Sequence, residues 1–341
     1  MGTETAVKPN ARIALVLQGD PSSPGTWSGV PASLGHGLEA VGCEVVPIDA
    51  EIPAGGKIAN ALKMSWADRS ASRFFAAGSG FVSKRRLRAA GPVDGVVIMG
   101  SGSSIATEAP LVTFEDMTVV QARREGGQSY DALSDAAVSR WHARQRRNYE
   151  RCSSCCAASN WAADSIRDDY GVPDSKIHVV GFGHNIEMEK PSRDWNTPRF
   201  LWVGSDWKRK NGAAIVEALR TVRGVHPDAT LDLVGAHPEV DAEGVIGHGR
   251  LPLGSPQGQR EYLDLLRRST CYVMPSVYEP LGISYIDAAT AGIPSIGTTS
   301  GGARDAIDDN GRLVDPSDPE ALTRAMIELC DPATARDLGD R

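Results

Sequence analysis

The chain has 341 residues and a formal net charge of −7, with a pI near 5.6. Its hydrophobic fraction of 41% and charged fraction of 23% are typical of a soluble globular protein, and the length favours two domains. The acidic balance argues against nucleic acid as the main partner.

The amino-terminal stretch has no basic region followed by an apolar run, and no segment approaches the roughly 18 apolar residues that a membrane span needs. Six cysteines in a chain of this length do not indicate a disulfide framework. Cys152 and Cys155 form a CxxC pattern, but no second cysteine or histidine pair lies at zinc spacing. The sequence therefore predicts a cytoplasmic protein with no metal and no cofactor.

The first half alternates short apolar runs with amphipathic stretches, which is typical of a parallel sheet wrapped by helices. Predicted strands at 12–17 and 44–48 flank a predicted helix at 31–41, and Gly29 lies in the loop before that helix. The glycine spacing is not the dinucleotide fingerprint GxGxxG, so nicotinamide chemistry is poorly supported. Further predicted strands lie at 95–99, 110–113, 155–159 and 177–180, and further helices at 57–91, 141–151 and 162–170.

Three features of this half have competing interpretations. The basic stretch 57–91 is either a solvated helix face or a patch for an anionic acceptor or a membrane surface. Glu115 and Asp116 follow a strand, where they either face a cleft or cap the next turn. His184 lies in a glycine turn, and such a histidine is more often structural than catalytic.

A polar, proline-punctuated segment at 187–199 is interpreted as an interdomain linker. We therefore predict domains at 1–190 and 191–341. The second half starts the strand–helix pattern anew and predicts a second parallel sheet. Its predicted strands lie at 200–203, 230–234, 271–274 and 312–314, its helices at 213–222, 261–268 and 319–329, and 246–250 is predicted as a loop.

Three loops of the second half follow strands and should share one edge of the sheet: 204–212, 235–250 and 275–283. The first of them holds three consecutive cations, residues 208–210, where a strand turns into a helix. Cations at such a turn bind phosphate oxygens, and the helix amino terminus adds its partial charge. The glycine spacing is not that of a GxxxxGK[ST] phosphate loop, and a basic triplet alone is usually a solvated turn.

The third loop carries Glu279, and 281–283 open a helix on which Asp287 lies about two turns along. The two carboxylates can accept hydrogen bonds from hydroxyl groups, as on a sugar or a ribose. The alternative is a buried strand–helix–strand unit with a solvated glutamate. Together with the basic loop, this stretch predicts a site for a nucleoside diphosphate with a hydroxyl-rich group attached.

These residues carry a family resemblance. The stretch PSVYEPLGISYIDAATAGIPSIGTTSGG resembles the Glu-x7-Glu region of the retaining glycosyltransferases of family 4, WVGSDWKRKNG resembles their diphosphate loop, and YVMPSVYEPLG matches the spacing VFxPSxxEPxG. The resemblance covers about residues 200–330 and is fainter over 12–50 and 155–185. It implies the α/β GT-B fold, with two Rossmann-like domains facing each other across a cleft, the first on the acceptor side and the second binding the donor.

The resemblance also implies roles for single residues. Lys210 matches the lysine that contacts the donor diphosphate, and Glu279 matches the glutamate that contacts the transferred sugar. Asp287 occupies the place of the second glutamate, which binds the ribose hydroxyls. Further donor-binding positions implied by the match are Gly29 at the glycine loop, Leu281, Gly282 and Ile283 through backbone amides, and Arg250 beside the base.

Three departures from the family pattern affect these expectations. Ser205 stands where an arginine usually follows the strand, so Arg209 or Lys208 is expected to supply the second cation at the donor site. Asp287 is one methylene shorter than glutamate, which shifts the expected ribose contact. The first-half histidine near the acceptor has no match, and Asp116 is our catalytic candidate in its neighbourhood. Family members usually continue into a cross-over helix, so this chain is expected to be shortened or to cross differently.

We therefore predict a retaining glycosyltransferase that moves a hexose-type sugar from a nucleoside diphosphate sugar to an acceptor hydroxyl without a metal. UDP is the expected nucleotide because UDP donors are common in the family. The acceptor is expected to be a small molecule or natural product, with a lipid as the alternative. Rival predictions on the same fold are a sugar-nucleotide epimerase and a nucleotide-sugar-binding protein without turnover.

Overall fold

A computed structural model of the chain describes residues 10–23, 25–53, 58, 62–63, 66–100, 105–126, 130 and 133–341. The chain forms two compact units, Met1–Val180 and Gly181–Arg341. The predicted change of domain lay at residue 190, and the structure divides the chain earlier. The polar segment at 187–199 belongs to the second unit. One of its residues, Arg193, donates a hydrogen bond to the carbonyl of Ser269 at 2.6 Å.

The first unit is built on a six-stranded parallel sheet with the order β2-β1-β3-β4-β5-β6. The central strands are short, mostly buried apolar runs, whereas the two edge strands are partly exposed. The strands are β1 Arg12–Leu17, β2 Glu44–Asp49, β3 Gly95–Met99, β4 Leu111–Glu115, β5 Ser154–Ala157 and β6 Ile177–Val179. The α-helices in the described part of this unit are Val30–Ala40, Trp66–Ala71, Arg73–Ala90, Val119–Glu125, Asp135–Arg151 and Asn160–Asp168, with 3-10 turns at Thr26–Gly29 and Asp174–Lys176.

The second unit repeats this architecture with the strand order β12-β11-β10-β7-β8-β9, again all parallel. Its strands are β7 Arg199–Gly204, β8 Thr230–Gly235, β9 Val245–Gly249, β10 Cys271–Val273, β11 Ser295–Thr298 and β12 Gly311–Val314. Its α-helices are Gly212–Val225, Pro256–Arg268, Ile283–Thr290, Ala303–Ile307, Pro319–Glu328 and Pro332–Asp340.

Each sheet has its own hydrophobic core. In the second unit, Trp202, Tyr272 and Tyr285 are fully buried between the sheet and its helices. The rings of Tyr272 and Tyr285 meet edge to face with centroids 5.5 Å apart. The central strands β7 and β10 are neighbours, so the loops that follow them lie side by side at the carboxyl edge of the sheet.

Several sequence predictions need correction. Residues 246–250 were predicted as a loop, but most of them belong to the edge strand β9, Val245–Gly249. Its glycines conceal the strand pattern, and its pairing with β8 contains a register shift between Leu233 and Val234. The described part of 57–91 contains a helix break at Ser72, which caps the second helix by accepting a hydrogen bond from the amide of Phe75.

The helices Val119–Glu125 and Pro332–Asp340 were not predicted from the sequence. The first is short but carries a full capping box between Thr118 and Gln121, and the second is capped by Asp331. None of the helices in the described part of the chain combines the length and the apolar composition that a bilayer crossing needs.

Candidate functional site

The turn between β7 and the helix Gly212–Val225 holds the predicted cations in a fixed conformation. The amide of Lys210 donates to the carbonyl of Asp206 at 2.9 Å, and the amide of Arg209 donates to the Asp206 carboxylate at 3.1 Å. Asn211 takes a left-handed conformation at the helix start. The indole of Trp202, buried in the core, donates to the carbonyl of Lys210 at 3.1 Å. The core therefore fixes the backbone from which Lys210 extends.

Lys210 lies over a glycine of the strand. A Cβ atom at Gly204 would stand 2.7 Å from the lysine Cδ and 2.5 Å from the Trp202 ring, so only glycine leaves room there. The lysine Nζ is 3.5 Å from Oε2 of Glu279 and 2.9 Å from the sulfur of Met274. The side chain of Lys210 is only 13% exposed.

Glu279 brings both cations together. Arg209 Nη1 lies 3.1 Å from the same oxygen, Oε2, and 3.0 Å from the carbonyl of Tyr278. The arginine also lies over the Tyr278 ring, 5.3 Å from its centroid. Ser276 donates a third hydrogen bond to Oε2 at 3.2 Å. We call Arg209, Lys210 and Glu279 the cation cluster.

Burial and charge act against each other in the cation cluster. Burial lowers the pKa of Lys210, and the Glu279 carboxylate counteracts only part of this shift. Burial alone would raise the pKa of Glu279, but Lys210 and Arg209 outweigh it and hold this pKa below its usual range. Burial likewise opposes the charge of Arg209, yet Glu279 and Tyr278 raise its pKa. Formally the cluster holds two positive charges and one negative charge, so it can take up an anion.

Backbone geometry fixes Glu279 in place. Its amide donates to the carbonyl of Ser300 at 3.1 Å, and its carbonyl accepts from the amide of Gly302 at 2.8 Å. Gly301 has a φ of +94°, and a Cβ atom there would stand 2.2 Å from the Glu279 carbonyl oxygen. The glycine turn at Gly301 and Gly302 therefore fixes the loop that carries Glu279.

The helix Ile283–Thr290 begins at Gly282, directly after the Glu279 loop. Gly282 has a φ of +88°, and a Cβ atom there would meet the Tyr285 ring at 2.5 Å. The first amides of a helix lack acceptors within the helix and carry its positive partial charge. Leu281 is 2% exposed and Ile283 is half-buried, so they can act on a ligand only through their backbone.

The family resemblance assigns Asp287 to the ribose hydroxyls, and in the structure its side chain is buried. It is 4% exposed. One carboxylate oxygen accepts from the amide of Asn185 at 3.1 Å, and the other accepts from the hydroxyl of Tyr262 at 3.2 Å. Burial raises the pKa of Asp287 to about 6, although these two hydrogen bonds and the nearby His184 lower it in part. Asp287 thus joins the segment after β6 to the helix Ile283–Thr290.

The remaining predicted donor residues are less constrained. Ser205 is exposed directly after β7, so Arg209, which reaches Glu279, supplies the second cation of the cluster. Lys208 points outward as an exposed residue of the same turn. Arg250 is exposed and directly follows β9. Gly29 belongs to the first unit, where its φ of +86° starts the helix Val30–Ala40.

Asp116 lies in the first unit at a cavity of about 510 Å³. The cavity opens at the carboxyl ends of three strands, where Gln18 follows β1, Gly100 follows β3 and Asp116 follows β4. Glu115, the last residue of β4, lines the cavity and is 2% exposed. Asp116 therefore faces a cleft, one of the two interpretations that the sequence left open.

Sequence reasoning missed the groups that hold the site residues. Tyr262 and Asn185, which bind Asp287, lie far from it along the chain, with Asn185 102 residues away. Tyr278 and Ser276 lie near Glu279 in the chain. In the sequence they could be recognised only as part of the loop that follows a strand. Among the described residues, no group of three or more histidine, cysteine, aspartate or glutamate side chains is arranged to hold a metal ion.

The sequence around this site matches a known protein family. The family model described as "Glycosyl transferases group 1" matches residues 197–331, which include the whole cation cluster and Asp287. Residues 197–331 are similar to this family, and we call them the group 1 domain. The group 1 domain therefore contains every donor-site residue predicted here except Gly29.

Curated relatives and solved structures agree with this assignment. The chain is 26% identical over 216 residues to an MMP alpha-(1->4)-mannosyltransferase of Mycolicibacterium hassiacum, a match covering 60% of this chain and 52% of the relative. It is also similar to a sucrose-phosphate synthase structure from Thermosynechococcus elongatus, with a TM-score of 0.69, 21% identity and coverage of 97% and 92% of the two chains. An Anabaena HepE structure in complex with UDP and glucose has a TM-score of 0.64 at 15% identity, covering 97% and 93%.

These structural matches establish the fold. The chain has the GT-B fold, with two Rossmann-like domains, as the sequence predicted. The chain spans about half the length of the curated relatives it matches, because the alignments cover 52% to 58% of them. The cation cluster lies within the group 1 domain, which is the region that the family model matches.

Proposed function

We propose that the chain is a retaining glycosyltransferase of family 4 that transfers a hexose-type sugar from a nucleoside diphosphate sugar to an acceptor hydroxyl. The observation that carries this proposal is the buried cation cluster beside the start of the helix Ile283–Thr290. The match of the group 1 domain to glycosyltransferases supports it.

The diphosphate of the donor is the anion that fits the cation cluster. A buried site with two cations and one carboxylate is incompletely compensated, and phosphate oxygens supply the missing negative charge. The amides at Gly282 and Ile283 add donors on the same sheet edge. The structural neighbour HepE was solved with UDP and glucose, which supports UDP as the nucleotide.

Glu279 is proposed to contact the transferred sugar. Its Oε2 is engaged by Arg209, Lys210 and Ser276, and its second oxygen, Oε1, is proposed to accept hydrogen bonds from the sugar hydroxyls. When the diphosphate binds, it competes with Glu279 for the two cations. Glu279 therefore links the occupancy of the phosphate site to the position of the sugar.

In the reaction, the bond between the anomeric carbon and the diphosphate oxygen breaks while the acceptor oxygen bonds to the same carbon. Negative charge grows on the departing diphosphate, and Lys210 and Arg209 stabilise it. In the retaining course, the acceptor attacks from the face that the diphosphate leaves. A phosphate oxygen then takes the proton of the acceptor hydroxyl, so this step does not require a separate base.

The first unit is proposed to bind the acceptor, with Asp116 in the cavity at the end of β4. Asp116 can accept a hydrogen bond from the acceptor hydroxyl and orient it. Its backbone position is fixed because β4 is a central strand of the sheet.

The test uses the full chain with nucleotides and nucleotide sugars. Binding stabilises a protein by RT ln(1 + [L]/Kd), so a thermal-shift series with UDP, GDP and their sugars ranks the donors. We expect UDP and one UDP-sugar to raise the melting temperature, and that UDP-sugar to be slowly hydrolysed. If no nucleoside diphosphate stabilised the protein, the proposal would be wrong. Conversion of the donor sugar to an epimer without acceptor would instead identify an epimerase.

A further inference from the structure

The cavity of the first unit has a chemical character that restricts the acceptor. Three aromatic side chains, Trp27, Tyr130 and Trp141, line it. Its volume of about 510 Å³ lies within the range of sites that enclose a small molecule. The rings of Tyr130 and Trp141 are 6.2 Å apart at an interplanar angle of 32°. Their faces give the cavity a flat apolar wall.

Trp27 is held over the cavity by an unusual backbone. Trp27 and Ser28 have φ values of +46° and +54°, in the left-handed region that costs energy for residues other than glycine. The Trp27 ring lies against Gly100, where a Cβ atom would stand 2.8 Å from it. Strain of this kind persists only where the surrounding structure enforces it, and here it turns an indole ring toward the exit of β3.

Four polar side chains of the cavity are acidic or already hydrogen-bonded. Glu115 and Asp116 are carboxylates. Gln145 accepts from the amide of Val119 at 3.0 Å and from the hydroxyl of Tyr170. The hydroxyl of Thr118 lies 2.6 Å from that of Ser165. The floor of the cavity is therefore held in a fixed arrangement.

No lysine, arginine or histidine occurs among the described residues that line the cavity. On the helix Val119–Glu125, Arg123 donates to the carbonyl of Tyr130 at 3.1 Å and lies 3.5 Å from Asp135. The described lining of the cavity thus supplies no cation to a phosphate or carboxylate on the acceptor, whereas it contains the carboxyl groups of Glu115 and Asp116.

We propose that the acceptor is an uncharged hydroxyl compound that lays a flat apolar face, a pyranose ring or an aryl ring, against Trp27 and the Tyr130–Trp141 wall. Carboxylate oxygens at the exit of β4 accept hydrogen bonds from its hydroxyl groups. This inference rests on the proposed function, in which the first unit binds the acceptor.

Isothermal titration calorimetry of the full chain without nucleotide tests the proposal. The probes are matched pairs: methyl glucoside with its 6-phosphate, and phenol with phenyl phosphate. We expect at least one neutral compound to bind, and its phosphorylated partner to bind on the order of a hundredfold more weakly because of like-charge repulsion. The pair that shows binding identifies the ring type. Equal or tighter binding of the phosphorylated partner, or binding of no neutral probe, would overturn the proposal.

Two variants place the binding in this cavity. Trp27→Ala should weaken the neutral probe about tenfold, and Trp27→Phe should retain most of the affinity. Phe81→Ala, which removes an aromatic ring that is 69% exposed on the same unit, is the control and should change nothing. An unchanged affinity in folded Trp27→Ala would place the acceptor elsewhere.

Adding a cation should reverse the selectivity. Thr26→Lys places an ammonium group at the cavity lining, and the phosphorylated probe should then gain at least about tenfold in affinity. Ser22→Lys, in the same loop but outside the lining, should not. These titrations contain no nucleotide, whereas the proposed function is tested by UDP binding. If the protein bound UDP but preferred phosphorylated acceptors, this inference would be wrong and the proposed function would be unaffected.

Discussion

The two candidate sites of this protein are opposite in charge. In the second unit, the cation cluster gathers Arg209 and Lys210 around one carboxylate. In the first unit, the cavity at the ends of β1, β3 and β4 presents two carboxylates and aromatic rings, with no basic side chain among its described lining residues. Both sites lie at the carboxyl edge of a parallel sheet, where loops are free to vary.

In the proposed function, this difference lets one architecture, used twice, bind two substrates without confusing them. A nucleoside diphosphate is repelled by the carboxylates of the first unit and attracted by the cation cluster. An uncharged acceptor gains nothing from the cation cluster but can stack on the rings of the first unit. Charge therefore assigns each substrate to its sheet, and the following changes test that assignment.

The largest effect is expected from Lys210→Ala. Removing one positioned group that stabilises developing charge typically costs about 2.7–4 kcal/mol, or a hundredfold to a thousandfold in kcat. We expect turnover to fall by this amount and UDP affinity to fall with it. Steady-state kinetics and UDP titration measure both quantities. Arg220→Ala, an exposed arginine that pairs with Glu217, is the control. Transfer at the parent rate by Lys210→Ala would remove the basis of the charge comparison.

Glu279→Ala should separate transfer from nucleotide binding. The variant would lose the proposed sugar contact, so transfer should drop on the order of a hundredfold. It also frees Lys210 and Arg209 from their internal partner, so UDP affinity should be unchanged or tighter. A parallel measurement of kcat and of the Kd for UDP decides this. Equal losses of both would show that Glu279 holds the cations in place and has no contact with the sugar.

A pair of neighbouring variants tests which residue replaces the arginine missing at Ser205. Arg209→Ala should reduce UDP affinity roughly tenfold to hundredfold, since a hydrogen bond to a charged group contributes about 1.5–3 kcal/mol. Lys208→Ala, in the same turn but exposed, should reduce it by less than about threefold. If the two losses were reversed, the second cation would come from Lys208.

The cation cluster could be predicted from the sequence because its parts depend on local patterns. A strand followed by a turn with three cations, and a strand followed by a carboxylate and a helix start, place their loops on one sheet edge in any parallel sheet. The structure adds that β7 and β10 are direct neighbours, so Arg209 and Glu279 come within 3.1 Å.

The surroundings of Asp287 could not be predicted from the sequence. The contact to the amide of Asn185 spans 102 residues, and the contact to Tyr262 joins two helices whose packing no local pattern specifies. The same holds for β9, where Gly247 and Gly249 weaken the strand pattern and only pairing with β8 reveals it. Asp116 was identified by its position after a strand, but the aromatic wall opposite it comes from separate parts of the chain.

Asp287→Asn tests whether this carboxyl acts as a structural link. Its folded pKa of about 6 is raised above the unfolded value of 3.8, so the bound proton stabilises the fold at low pH. That contribution, at most on the order of 3 kcal/mol, is lost as pH rises through 6. The asparagine variant lacks this loss, so its stability relative to the parent should increase between pH 4 and pH 7. Urea unfolding at both pH values measures the difference, and a difference that does not change with pH would contradict the raised pKa. A fall in UDP affinity in the same variant would support the ribose contact.

A small effect is expected from Arg250→Ala. Arg250 is exposed directly after β9, whose end is fixed by a hydrogen bond of 3.1 Å from the Gly249 amide to His237. An exposed cation contributes about 1 kcal/mol or less, so UDP affinity should fall less than about fivefold. If Arg250 lies beside the base, UDP and UMP should lose affinity equally, because both carry the same base. If it contacts phosphate, UDP should lose more than UMP. Arg260→Ala, another exposed arginine of this unit, controls for a change in net charge. If Arg250→Ala lost as much UDP affinity as Lys210→Ala, the positive charge of the donor site would not be concentrated in the buried cluster. The contrast in charge between the two units would then depend on exposed side chains as well.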